Sequence, residues 1–355
     1  KAARVQRAQV QPMIRINLGL QGGGAHGAFT WGVLDRLIEE TDIEIAAISG
    51  TSAGAMNAAA YKAGLIEGGR DGAKARLDWF WEKVGAVNTP FLQDWLSALS
   101  PTVRGIATLL ELSPGYQAFD AASRVVSPYI YGPLLRNPLA AILAEMSFDH
   151  VCSTKGPQLF VGATNVRTGR IRVFSGTEIS DAALMASACL PTLFQAVEID
   201  DPLTGEKEAF WDGGYTGNPA LFPLYDKDLP NDLVIVGINP IIRRTLPRST
   251  EAIANRINEI GFNASLLAEL RAIAFVRDLL DTGVMQAGTM KRVMLHMIED
   301  DALMNDLNVA TKTIPVPVVL KQLKSAGRAA MDTFLINHKD DLGKRETLDL
   351  NGMFN

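Results

Sequence analysis

Two strand–turn–helix units follow one another at the start of this chain, and both turns are made of very small residues. Residues 14–20 read as a short buried strand, and Gly22-Gly23-Gly24 breaks it. Residues 25–40 then read as a helix, with Phe29, Val33, Leu34, Leu37 and Ile38 on one face. Residues 43–49 form a second apolar run of strand length, followed by Gly50-Thr51-Ser52-Ala53-Gly54 and a small-residue helix over 55–63. Strand, glycine-rich turn and helix, repeated, is the pattern of an α/β fold with a parallel sheet.

Further along, 159–165 and 170–175 read as strands, and 181–188 as a short helix ended near Pro191. Residues 197–200 and 208–211 look like a strand pair around the turn Pro202-Leu203-Thr204-Gly205, and 233–238 is another buried strand. From about residue 251 the chain is expected to be helical to His338, with a break at 314–317. This divides it into a catalytic domain over 14–245 and a helical C-terminal extension over 246–355 packed on it. Residues 88–138 are a proline-rich insertion, read as a packed excursion or a lid, in which Phe91, Leu92, Trp95, Leu96 and Leu99 would form one helical stripe.

Composition removes several function classes. Apolar residues make up 47% of the 355, enough for a sizeable core, and a net charge of -5 leaves no electrostatic footprint for nucleic acid. Two cysteines, Cys152 and Cys189, make no disulfide framework and fit a reducing compartment, so a cytoplasmic location is expected. Four scattered histidines show no metal-ligand spacing, and no metal site is expected. No apolar run reaches the ~18 residues of a membrane span. Residues 1–13 read as a basic, frayed tail without a visible signal peptide.

Three short motifs carry chemistry. Gly50-Thr51-Ser52-Ala53-Gly54 fits G-x-S-x-G between a strand and a helix. A sharp strained turn there lifts a serine hydroxyl clear of the sheet, and the following helix offers free N–H groups to an anion. Ser52 is the candidate nucleophile, and an ordinary helix N-cap serine is the plain alternative. Gly22-Gly23-Gly24-Ala25-His26-Gly27 can present bare backbone amides as a nest for an oxyanion. The same glycines also satisfy a dinucleotide fingerprint, with Asp42 or Glu44 as the ribose acid, although these acids precede the second strand rather than end it. A purely structural tight turn is the third reading. Asp212-Gly213-Gly214 alone is an ordinary Asp-Gly turn. Beside a serine nucleophile, Asp212 becomes a candidate base, which an apolar cleft with Phe210 and Trp211 would strengthen by raising its pKa.

These elements, in this order, resemble the patatin-like phospholipase family. Residues 20–37 are similar to its oxyanion-loop block, Gly50 to Gly54 to its nucleophile elbow, and Asp212-Gly213-Gly214 to its aspartate motif. A further segment, Ala186-Ser187-Ala188 through Pro191 to Phe194, is also similar. The resemblance covers roughly residues 14–240. It implies a three-layer α/β/α fold and a Ser52–Asp212 dyad. It also implies oxyanion donors among Gly22, Gly23 and Gly24, and hydrolysis of lipid acyl esters without metal or cofactor. The family usually carries Arg or Lys where this chain has His26, which makes a neutral ester or thioester a substrate to set beside a phospholipid. The partner is then a lipid or other acyl ester, with peripheral contact to a membrane surface.

Two further features have competing readings. His296, expected on an apolar helix, is a satisfied core histidine or the last member of a Ser–Asp–His triad in α/β-hydrolase order. The helix over 319–335 has an apolar side (Leu320, Leu323, Ala330, Phe334) and a basic side (Lys321, Lys324, Arg328), for packing on the body or for a membrane surface.

Overall fold

The computed structural model describes residues 13–87, 102–131 and 137–354. Its strands are β1 (Ile14–Leu20), β2 (Ile43–Thr51), β3 (Gln158–Asn165), β4 (Ile171–Ser175), β5 (Val197–Asp201), β6 (Glu206–Asp212), β7 (Asp232–Val236) and β8 (Met294–Ile298). The principal helices are α1 (Ala28–Leu37), α2 (Ala53–Gly85), α3 (Val103–Glu111), α4 (Pro114–Val125), α5 (Asp181–Ser187), α6 (Thr250–Asp281), α7 (Val309–Thr313) and α8 (Pro317–His338).

All eight strands join one sheet in the order β5-β6-β3-β2-β1-β7-β8, with β4 also on β3. The stretch β3-β2-β1-β7-β8 is parallel, whereas β4, β5 and β6 pair antiparallel. Strands β1, β2 and β7 are buried along nearly their whole length because helices cover both faces of a parallel sheet. Alternation within β7 shows the two faces: Val234 and Val236 join the core with Phe29, Leu34 and Phe80, while Leu233 and Ile235 join Leu266, Leu270 and Leu295. The chain leaves β1 for β2 on one side and finds β7 on the other. The C-terminal end of β1 is therefore a topological switch point, where open α/β sheets form their crevices.

The region beyond residue 245 is mainly helical, with one departure. Residues 294–298, expected as helix, are the parallel edge strand β8 beside β7. A five-residue apolar run carries no period long enough to separate helix from strand. Helix α8 crosses α1 closely. A side chain on Gly32 would collide with the Lys324 carbonyl, and one on Gly327 with the Phe29 carbonyl. Lys324 bonds Asp78 at 2.7 Å, and Arg328 bonds Asp35 and Glu39, so two of the three basic residues of α8 are spent on the body and Lys321 alone faces solvent. Within the insertion, α3 buries Ile106 and Leu110, and the Ala107 carbonyl accepts from Asn308 Nδ2 at 2.9 Å, just before α7. The stripe of Phe91, Leu92, Trp95, Leu96 and Leu99 lies outside the described residues. No helix among the described residues is long and apolar enough to cross a membrane.

Candidate active site

Ser52 is the single residue between the end of β2 and the start of α2, at φ 53° and ψ -122°. It is the one non-glycine residue with positive φ among those described. Such a backbone costs on the order of 1–3 kcal/mol and persists only where its surroundings enforce it. Here the Ser52 N–H donates to Ser187 Oγ at 2.9 Å, and Ser187 Oγ donates to the Gly162 carbonyl at 2.7 Å. The turn must be lined by glycine. A side chain on Gly54 would run into the Leu20 carbonyl, and one on Gly50 would come within 2.8 Å of the Gly54 backbone.

Strand β3 brings the acid to the serine. Residues 160–162 of β3 pair with β2 on one edge and β4 on the other, and residues 163–164 pair with β4 and β6. Strands β2 and β6 therefore lie end to end along one edge of β3, running towards each other. Thr51 pairs with Gly162 and Asp212 with Ala163. Neighbouring rungs are only about 3.3 Å apart, so residues distant in sequence meet tip to tip.

Asp212 is buried, and its frame is fixed at three points. Its N–H donates to the Cys189 carbonyl at 2.8 Å, its carbonyl accepts from Thr164 Oγ1 at 2.8 Å, and Oδ1 accepts from the Gly214 N–H at 2.8 Å. Gly213 fits against the Gly162 carbonyl, and Gly214 against the Phe262 ring. Burial pushes the Asp212 carboxyl up to about 7, against the opposing pull of the Gly214 amide and of the nearby Ser52 side chain. A carboxylate with that proton affinity is a competent base near neutral pH, and an unperturbed one is not.

The glycine loop leaves β1 at the switch point. Lacking a side chain, Gly22 sits against the serine: a Cβ there would lie 2.7 Å from Ser52 Cβ. Its own amide is taken, donating to Asn218 Oδ1 at 2.6 Å, and its carbonyl accepts from Asn239 Nδ2 at 2.8 Å. This corrects the expectation that Gly22 is an oxyanion donor. Gly23 and Gly24 are the amides that donate to no protein acceptor among the described residues, and Gly24 turns at φ 57°. Gly27 lets the start of α1 rest on the start of α2, since a Cβ there would meet Ala53 Cβ at 2.6 Å.

His26 is buried, with Nε2 2.9 Å from Thr311 Oγ1. Burial, then Lys312 and Arg243, hold it well below the usual histidine range, so it is a neutral structural partner of α7. The cation beside the loop is instead half-buried Lys312, whose Nζ donates to Asn239 Oδ1 at 3.0 Å. Its pKa is pushed down to about 8, chiefly by burial, which leaves it mostly charged at neutral pH.

The supporting residues Ser187, Asn218, Asn239 and Lys312 escaped the sequence reading. Ser187 lay inside a recognised segment, but nothing in the string tied it to Ser52. The other three act across long sequence separations with no motif of their own.

The rival readings separate in space. Asp42 bonds Lys339 at 2.9 Å and Glu44 faces Arg15 at 3.5 Å, at the opposite end of β1 and β2 from the glycine loop, so neither can reach a ribose placed there. His296 lies on β8, with Nε2 3.0 Å from Asp232 Oδ1 and Nδ1 3.0 Å from Thr347 Oγ1. It is a satisfied core histidine. Cys152 and Cys189 are free thiols, and burial pushes Cys189 up to about 12. Cys189 also lines a cavity of about 180 Å³ with Met185, Leu193, Phe194 and Val197, immediately behind the Asp212 backbone.

Residues 18–225 match the family model of the patatin-like phospholipases. Among solved structures, the chain is similar to VipD from Legionella pneumophila at 16% identity and a TM-score of 0.39, covering 92% of this chain and 68% of that one. It is also similar to ExoU of the Pseudomonas aeruginosa type III secretion system, solved with SpcU, at 16% identity and a TM-score of 0.26, covering 96% and 75%. A comparison with curated proteins finds no match. The family match takes in more than half of the chain, from β1 past Asp212: the chain belongs to the patatin-like phospholipase family and is, at that level, a lipid hydrolase.

Proposed function

We propose that this protein hydrolyses lipid acyl esters through a Ser52–Asp212 dyad and an acyl-enzyme intermediate. Asp212 takes the Ser52 proton as the hydroxyl oxygen attacks the ester carbonyl. The amides of Gly23 and Gly24 hold the oxyanion as it develops, where one well-placed donor is worth roughly 3 kcal/mol. Collapse expels the alcohol, which receives the proton from Asp212. Water, giving a proton to the same carboxylate, then attacks the acyl-enzyme; as the acyl–Oγ bond breaks, Asp212 returns that proton to Ser52 and the fatty acid leaves. The observation that carries this reading is the meeting of the Ser52 turn with Asp212 at neighbouring rungs of β3, where the carboxyl is buried and its pKa raised to about 7.

The substrate class follows from the surroundings. The cavity beside Cys189, lined by Met185, Leu193, Phe194 and Val197 with Asn137 and Gln195 among them, suits part of an acyl chain that ends near polar groups. His26 is neutral, but Lys312 beside the glycine loop offers a charge to a phosphate, which favours a phospholipid or lysophospholipid over a neutral ester or thioester. The test is hydrolysis of a panel of all four classes by the parent chain and by Ser52→Ala. Ser52→Ala is expected to lose about 10³-fold or more in kcat on every substrate the parent cleaves. Near-parental turnover by Ser52→Ala would overturn the reading.

A further inference from the structure

The first half of α6 is built inside out. Its buried positions are Asn255, Glu259 and Asn263, and its exposed ones are Ile253, Ile257 and Ile260. Steps of four and three place the isoleucines on one face. Asn255 Nδ2 donates to Glu259 Oε1 at 3.1 Å, its own Oδ1 meeting no partner among the described residues, and the other two are tied to neighbouring segments. Glu259 takes Arg243 at 2.6 and 2.8 Å, while Asn263 accepts from Gln21 Nε2 at 3.1 Å and donates to the Pro240 carbonyl at 3.2 Å. They fasten the helix to the loop after β7. The isoleucines are left uncovered, with Ile257 64% exposed. Helix formation does not call for them, since β-branched residues are indifferent helix formers.

The apolar face extends beyond these residues. Along the helix it continues through Ala264 and Ala268 to exposed Phe275, interrupted by Arg271, over roughly 33 Å. Beside the first turns runs the loop 241–248, held there by Arg256 bonding the Pro240 and Ile241 carbonyls at 3.2 and 2.9 Å. This loop exposes Ile242 and Leu246, the latter 79% exposed. Arg244 and Arg248 lie between and after them, also exposed, and pair with no carboxylate among the described residues. The catalytic centre lies across the same helix from the isoleucines, at the C-terminal sheet edge from which the loop also leaves β7. Phe262 of the same helix packs on Gly214, and its ring lies 5.2 Å from that of half-exposed Tyr215, three residues after Asp212.

Uncovered apolar side chains interleaved with unpaired arginines fit an interface where acyl chains meet anionic headgroups. We infer that Ile242, Leu246, Ile253, Ile257 and Ile260, flanked by Arg244 and Arg248, seat this protein on the surface of an anionic lipid bilayer, with the Ser52 site beside the contact. The preference for a bilayer over a second copy of the chain rests on the lipid-hydrolase reading above and on the like charge of the two arginines, which two copies would bring together.

The test uses the full chain carrying Ser52→Ala, sedimented with phosphatidylcholine vesicles with and without phosphatidylglycerol. Binding is expected with phosphatidylglycerol present. Changing Ile253, Ile257 and Ile260 together to Ser should lower partitioning at least about tenfold, because three exposed apolar side chains no longer enter the interface. Arg244→Glu with Arg248→Glu should remove the preference for phosphatidylglycerol. All five side chains face solvent, so an unchanged thermal melt is expected of both variants. With Ser52 intact, the isoleucine variant should lose hydrolysis of vesicle lipid by a similar factor and keep that of a soluble short-chain ester within about twofold. The inference is overturned if the parent chain does not bind, if the isoleucine variant sediments like the parent, or if light scattering shows that the variant has lost a dimer. A missing Ser52-dependent hydrolysis of the soluble ester would instead overturn the dyad, with vesicle binding still deciding this face.

Discussion

At the scale of the residue, the proposed chemistry turns on Asp212. With a carboxyl pushed up to about 7, it serves as a base only once deprotonated, so kcat/KM should rise with pH and level off above an apparent pKa near 7. A pH–rate profile on a soluble ester checks this, and a plateau reaching down to pH 5 would contradict it. The same shift is a cost to the fold. The folded pKa lies above the ~3.9 of an unfolded Asp, so this group's favourable contribution is complete below that value and is lost as pH rises through 7. Asp212→Asn should therefore be inactive, yet stabilise the fold more at pH 8 than at pH 4 in urea unfolding, by up to on the order of 3 kcal/mol. Lys312 supports a second prediction. A charge-assisted contact to a substrate phosphate is worth about 1.5–3 kcal/mol. Lys312→Met should therefore cut kcat/KM for a phospholipid at least about tenfold and change a neutral ester within about twofold, with Lys312→Arg recovering part of the loss. Equal losses on both substrates would mean that Lys312 acts only through Asn239 and the glycine loop.

At the scale of the element, the glycines that matter most lie where backbones touch. In an exposed helix, Gly→Ala gains up to about 1 kcal/mol. Gly327→Ala should do the opposite, because its Cβ would collide with the Phe29 carbonyl of α1. A loss of about 1–3 kcal/mol in urea unfolding is expected. Since α1 follows directly from the glycine loop, activity should fall in the same variant before it unfolds. Elements were legible where their signal was long or punctuated. The turns at Gly22–Gly24 and Gly50–Gly54, the hairpin around 202–205 and the strands of the central sheet follow from local pattern. Strand β8 was misread because Met, Leu, His, Met and Ile carry no period over five residues. The helix read over 25–40 begins instead with a 3-10 turn at Gly24–Gly27, which aims the glycine amides before α1 starts.

At the scale of the whole molecule, the part beyond residue 245 completes the structure it follows. It supplies β8 beside β7, α8 against α1, and α7 behind His26 and Gly24. A chain ending at residue 245 should thus expose one side of β7 and most of α1, lose its cooperative melt and be cleaved rapidly by protease; a soluble, active truncation would contradict this. By itself, the sequence determined the fold class and marked Ser52, Asp212 and the glycine turns as candidates, because strained turns and buried strands depend on local sterics and hydrophobic pattern. The tertiary structure alone decided that Gly22 lends its amide to Asn218, that His26 is neutral with Lys312 as the nearby cation, that His296 belongs to Asp232, and that α6 turns its isoleucines outward. Each of these depends on which atoms lie within about 3 Å across long stretches of chain, and no local pattern specifies such neighbours.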